Sequence, residues 1–140
     1  MTTPTDKIED KDMSEWHVFD AATMPLGRLA TQAAHLLMGK HRTDFAKNIV
    51  APVYVVVTNS DQVQLTGNKM EQKMYHEYSG YSGGLRSRTA KDQISRDSRK
   101  VIEFAVSGML PKNNSRAECM RHLKVYTGAQ HPHVAQVAKS

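Results

Sequence analysis

Apolar and polar positions alternate along this chain in distinct local patterns, and each pattern predicts an element. Trp16-His17-Val18-Phe19 joins aromatic to β-branched residues, the composition of a strand, and runs into Asp20, Thr23 and Pro25, which open a helix. Leu26, Leu29, Ala30, Ala33, Leu36 and Leu37 then recur at the spacing of one helix face. Gly39 supplies the stop, and Lys40, His41 and Arg42 stand where positive charge favours the C-terminal end of a helix. Val53-Tyr54-Val55-Val56-Val57 is a near-continuous apolar run between Pro52 and Asn59, the mark of a strand buried on both faces, as in a parallel sheet. Val63-Gln64-Leu65-Thr66 alternates and is turned by Gly67-Asn68.

The second half continues the alternation of strands and helices. Ser79 to Gly84 is glycine-rich and too poor in apolar residues for a core element. Thr89 with Asp92 resembles a capping box, and Val101, Ile102, Ala105, Val106 and Met109 form a stripe that stops at Pro111, which cannot continue a helix. Lys112 and Arg116 bracket a polar Asn113-Asn114-Ser115 loop, and Val125-Tyr126 reads as a last strand. This order predicts an α/β layered domain with a largely parallel sheet. Residues 1 to 14 lack apolar periodicity and read as a flexible acidic tail, with residues 15 to 140 as a single domain.

Composition narrows the function classes. A chain of 140 residues buries roughly 68–70% of its unfolded surface and needs neither disulfide nor metal to fold. The lone Cys119 excludes an internal disulfide and fits a reducing compartment. No apolar run approaches the roughly 20 residues that span a bilayer. The acidic, polar start is unlike a signal or transit peptide, so the protein is expected to stay in the compartment where it is made, the cytoplasm.

The net charge of +5 conceals a gradient. Residues 1 to 20 carry six acids against two lysines, residues 21 to 85 six bases against four acids, and residues 86 to 140 eleven bases against four acids. Basic charge concentrated in the C-terminal half points to a polyanionic partner, because cations that neutralise phosphates gain counterion-release free energy; a merely solvated basic surface is the competing reading. The segment from Tyr75 to Arg88 is the best RNA-binding candidate from its residues alone. Gly80, Gly83 and Gly84 allow close backbone approach, Tyr75, Tyr78 and Tyr81 can stack on bases or sugars, and Lys73, Arg86 and Arg88 add cations. Lys112 and Arg116 offer a second phosphate-contacting loop.

A run of specific residues now becomes informative: Gly108-Met109-Leu110-Pro111-Lys112, Ser115-Arg116, Leu123-Lys124-Val125-Tyr126-Thr127-Gly128 and His131-Pro132-His133. With Trp16, Asp20-Ala21, Leu26-Gly27-Arg28-Leu29-Ala30, Gly39-Lys40-His41, Thr66-Gly67-Asn68-Lys69 and Ser79-Gly80-Tyr81 before it, this order resembles the L-thirteen family of large-subunit ribosomal proteins over more than four-fifths of the chain. The Gly-Asn-Lys and Ser-Gly-x-x-Gly-Gly blocks resemble its bacterial branch. The resemblance implies a three-layer α/β/α domain around a mostly parallel four-stranded sheet. It also implies a structural, non-enzymatic component that binds large-subunit rRNA early in assembly, as a monomer beside neighbouring large-subunit proteins, with no cofactor, small-molecule substrate or membrane partner. It extends the expected RNA-contacting set to Arg28, Lys40, His41, Arg42, Lys69, Ser79, Arg121 and Lys124, although Arg28 is as well suited to pairing with a carboxylate.

The chain departs from the family pattern at three places. His76-Glu77-Tyr78 stands where a basic or aromatic residue is usual, and Glu77 facing phosphate would be repulsive. Ser98 replaces a proline that commonly opens the long helix, a change that capping by Asp97 or Ser98 can offset. Ser107 occupies a position that is often basic.

Other chemistries find less support. Cys119, His122, His131 and His133 are suitable zinc ligands, but their spacing matches no standard finger. Gly27 alone cannot form a dinucleotide fingerprint, and Gly67-Asn68-Lys69 lacks the leading glycine and trailing hydroxyl of a phosphate-binding loop. A small nucleotide-binding or metal-dependent enzyme and a regulatory RNA-binding module outside the ribosome are the competing functions.

Overall fold

The computed structural model describes residues 14–139, so the expected acidic tail lies outside the described residues except for Ser14. Strand β1 (Glu15–Asp20) leads into helix α1 (Leu26–Leu37), and β2 (Val53–Thr58) is followed by a 3-10 turn at Ser60–Gln62. A one-turn helix α2 (Lys69–Gln72) precedes the strands β3 (Met74–Tyr78) and β4 (Leu85–Thr89). Helix α3 (Ala90–Met109), helix α4 (Ser115–His122), strand β5 (Leu123–Val125) and the short α5 (Val134–Val137) complete the order.

The main sheet is parallel, in the order β1-β2-β5, with Glu15 opposite Val53 and Val55 opposite Leu123. Its centre is β2, whose Val53, Val55, Val56 and Val57 are fully buried, as expected of a near-continuous apolar run. One face carries Phe19, Val55, Val57 and Leu123 against Leu29, Ala30, Ala33 and Leu37 of α1, Val101, Ile102 and Val106 of α3, and Cys119 of α4. Complete burial of Leu29 and Leu37 contributes roughly 1.5–3 kcal/mol each. The opposite face is covered more thinly. There Trp16 stacks on Tyr54 at 4.5 Å and on His133 at 5.0 Å, which brings the C-terminal segment and α5 over β1.

The sheet has three strands among the described residues rather than the four expected. Val63 to Thr66 does not extend a ladder: Gln64 makes one parallel bridge with Pro25. Pro25 has no N–H to donate and α1 begins at the next residue, so the partner leaves the sheet at once. Gly67, at φ +63°, then turns the chain away. The remaining two strands form a separate antiparallel hairpin, with Met74 opposite Thr89 and Tyr78 opposite Leu85.

Gly39 ends α1 for two reasons. Its φ is +70°, and a Cβ there would lie 2.5 Å from the Cβ of Ala51. Thr89 caps α3 by accepting from the amide of Asp92 at 3.3 Å, as the sequence predicted. Within α3 the backbone is extended at Asp97 (φ −157°, ψ 97°), and the Asp97 carboxylate accepts from the amide of Arg99 at 3.2 Å, restarting the helix. This is the capping that offsets the absent proline at position 98. Ser98 is buried and donates to Asp61 at 2.5 Å, so the Ser60 hydroxyl, 2.8 Å away, donates to Ser98 in turn. Ser98→Ala leaves the buried Ser60 hydroxyl without its acceptor and is expected to destabilise the fold by about 1–2 kcal/mol. Chemical denaturation of the two proteins side by side measures this directly.

Candidate nucleic-acid interface

The β3–β4 hairpin sorts its side chains by strand alternation. Met74, His76, Tyr78, Leu85, Ser87 and Thr89 share one face, while Tyr75, Glu77, Arg86 and Arg88 share the other. On the first face Tyr78 is 64% and Leu85 62% exposed, and Tyr81 at the tip is 80% exposed. The tip is closed by hydrogen bonds from Gly84 N to Tyr81 O at 2.9 Å and from Ser79 N to Gly84 O at 3.3 Å. A Cβ on Gly84 would collide with the Ser79 hydroxyl and sit 2.9 Å from Tyr81 O, so only glycine permits this closure. The result is a closed ribbon that holds aromatic rings out in solvent.

Tyr75 behaves differently from Tyr78 and Tyr81. It stacks on Phe104 of α3 at 5.9 Å, and burial pushes its hydroxyl pKa up. Tyr75 therefore anchors the hairpin, with Lys73 Nζ 5.7 Å from its ring centre. Glu77, the departure from the family pattern, pairs with Arg88 at 3.3 Å on the same hairpin face. Its carboxylate is thus partly neutralised from within, and Arg86 lies directly opposite it in the ladder.

Two adjoining grooves extend this surface. Arg28, Lys69 and Thr66 line one, and Lys69, Lys73, Tyr75 and Leu65 line the next. Past Tyr75 on the same hairpin face a cleft of about 490 Å³ is bounded by Glu77, Arg88, Arg96, Asp97, Lys100 and Phe104. Arg96 and Lys100 were absent from the set read off the sequence. The signal that could have found them is the charged side of α3 opposite its apolar stripe, which the helix turns toward the hairpin.

A second group gathers at the other end of α1, a 12-residue helix about 18 Å long. Lys40 and Lys47 line a groove there with Pro111, Asn113 and Ser115, beside Lys112 and Arg116. Arg121 belongs to α4, and Lys124 lies on the thinly covered sheet face, opposite Val56. His41 and Arg42 are engaged internally. His41 Nε2 lies 2.7 Å and Arg42 Nη1 2.9 Å from the Glu15 carboxylate, and Arg42 also holds Asp44 at 2.9 Å. The hydrogen bond from His41, with the charge of Arg42 behind it, lowers the Glu15 pKa; the hydrogen bond to Asp44 raises that of Arg42.

Cys119, His122, His131 and His133 do not assemble as a metal centre. The buried Cys119 thiol points to Leu37 O at 3.8 Å, and burial raises its pKa. His122 packs against the Tyr54 ring at 4.4 Å with the planes tilted by 32°, and His133 Nε2 is hydrogen-bonded to the Tyr126 hydroxyl at 2.7 Å. Among the described residues no helix is long and apolar enough to cross a membrane.

Comparison with known sequences places the chain in a family. The family model described as Ribosomal protein L13 matches residues 14–132. "Large ribosomal subunit protein uL13" of Deinococcus deserti is 49% identical over 92% of this chain and 92% of its own. The proteins of the same name from Maridesulfovibrio salexigens and Mycobacterium bovis are 46% and 45% identical, over 94% and 97% of this chain and 93% and 92% of theirs. Identity at this level over nearly the whole length of both partners shows descent with the same fold, and this is a family of ribosomal proteins rather than enzymes: the chain belongs to the ribosomal protein L13 family.

Proposed function

We propose that this protein is a structural component of the large ribosomal subunit that binds large-subunit rRNA early in assembly, as a monomer beside neighbouring ribosomal proteins. The observation that carries the reading is the convergence of Arg28, Lys69 and Lys73 on grooves beside a hairpin that holds Tyr78 and Tyr81 exposed. Cations in such grooves neutralise phosphates, and exposed rings above a glycine-closed tip stack on unpaired bases or sugars. Lys40, Lys112 and Arg116, at the far end of α1, form a second point of attachment. Two separated attachments clamp a rigid body onto folded RNA and so stabilise one arrangement of its helices. In this reading residues 15 to 140 act as one domain and the acidic tail stays clear of the phosphates.

The test is sedimentation. In growing cells the protein is expected to travel with the large subunit through a sucrose gradient and to remain there after a moderate-salt wash. A pool found mainly in the soluble fraction would instead support a regulatory RNA-binding module.

A further inference from the structure

A second chemistry sits at the start of β1. Alternation along the strand places Glu15 and His17 on the same face, two residues apart, and the turn after α1 brings His41 across to them. That turn is fixed by Gly39 and by the hydrogen bond from Arg42 N to Gly39 O at 3.0 Å. Glu15 Oε2 is 2.7 Å from His41 Nε2 and 3.7 Å from His17 Nε2, and one ligating atom from each of the three residues lies within 4.8 Å of the others. The imidazole rings of His17 and His41 stand at 88° with centres 6.0 Å apart, converging on the carboxylate from two directions.

The His17 Nε2 atom is buried and has no hydrogen-bond partner, since the carboxylate oxygen nearest to it is too distant. Buried ring nitrogens are normally satisfied, and an imidazole nitrogen aimed at a second imidazole and a carboxylate has a ready occupant in a metal ion. We propose that Glu15, His17 and His41 form a binding site for one divalent transition-metal ion, for which zinc is the reference. Donors about 2.0–2.2 Å from a tetrahedral ion are separated from one another by about 3.4 Å. The observed spacings bracket that value, so side-chain adjustment suffices.

Arg42 suits the site. It takes Glu15 Oε1 at 2.9 Å and leaves Oε2 to His41, whose Nε2 proton is released as the ion takes its place between the two atoms, while Asp44 occupies its Nε and Nη2 and balances its charge. Such an outer partner orients a ligating carboxylate. The three side chains remain about one-third exposed, so a fourth position is open to water or to an anionic oxygen. None of the three donors belongs to the apolar core, and the Cys119 thiol is turned to Leu37 O instead.

Zinc titration of the full chain, produced without an affinity tag, stripped with chelator and competed against a chromophoric indicator, decides the matter. One equivalent is expected to bind, and His17→Gln and His41→Gln are each expected to weaken it by at least about tenfold, whereas His76→Gln and His131→Gln leave it unchanged. His41 sits in an exposed turn, so its variant keeps the test valid if His17→Gln fails to fold, as checked by circular dichroism. X-ray absorption should show imidazole and oxygen ligands. Absence of stoichiometric zinc, binding indifferent to both substitutions, or a sulfur ligand would each overturn the assignment.

Discussion

Replacing Arg28, Lys69, Lys73 and Arg86 together by glutamine is expected to reduce the steepness with which rRNA affinity falls with salt by about three in the log–log slope. Each phosphate that the variant no longer neutralises takes roughly 0.7–0.9 off that slope. The first three residues line the grooves beside the hairpin, and Arg86 lies on the hairpin itself. None of the four belongs to the buried core, so the thermal transition should stay in place. The control replaces Lys7, Lys11 and Lys139 near the termini and should leave the slope nearly unchanged. Filter binding to an rRNA fragment across a range of potassium concentrations measures both. Equal effects per charge in the two variants would mean that total charge rather than the groove drives binding.

Leu29→Ala should have the opposite signature, a large loss of stability with little change in the surface that meets RNA. Leu29 is fully buried where α1 meets the sheet and α3, and truncation at such a site costs about 3 kcal/mol through lost transfer energy and the cavity left behind. The denaturant midpoint should fall with its slope unchanged. Leu85→Ala on the hairpin provides the contrast. It is 62% exposed, so its stability should stay within about 0.5 kcal/mol of the parent. If the two substitutions proved equally destabilising, the hairpin would have to be part of the core.

What could be read in advance was set by how strongly burial patterns the sequence. The valines of β2 and the leucine and alanine face of α1 announce themselves because one is buried on both sides and the other on a helical stripe. The β3–β4 hairpin has no such mark: its residues are mostly exposed on both faces, so alternation carries no hydrophobic signal. Its glycines and tyrosines nevertheless singled out the segment as a surface for RNA. The bridge at Gln64 mimics a strand because alternation reports only that one side is covered, and Pro25 cannot extend the pairing. The engagement of His41 and Arg42 with Glu15 was hidden because these residues meet only after α1 has turned the chain back along β1. Arg96 and Lys100 were missed for a similar reason, since a helix's charged side becomes part of a cleft only when another element stands opposite it.

The parallel order β1-β2-β5 also governs how this protein is made. Val55 must wait for Leu123, across almost half of the chain, before the second edge of the central strand is covered. During synthesis residues up to 122 therefore leave the ribosome with a valine-rich strand still open on one side, the type of edge that recruits other chains. Completion depends on the last segment to emerge, where Leu123 closes the sheet and His133 settles over Trp16. A truncation that removes only this C-terminal stretch should consequently yield an insoluble product rather than a shortened native protein, making solubility a sensitive report on whether translation of this chain reached its end.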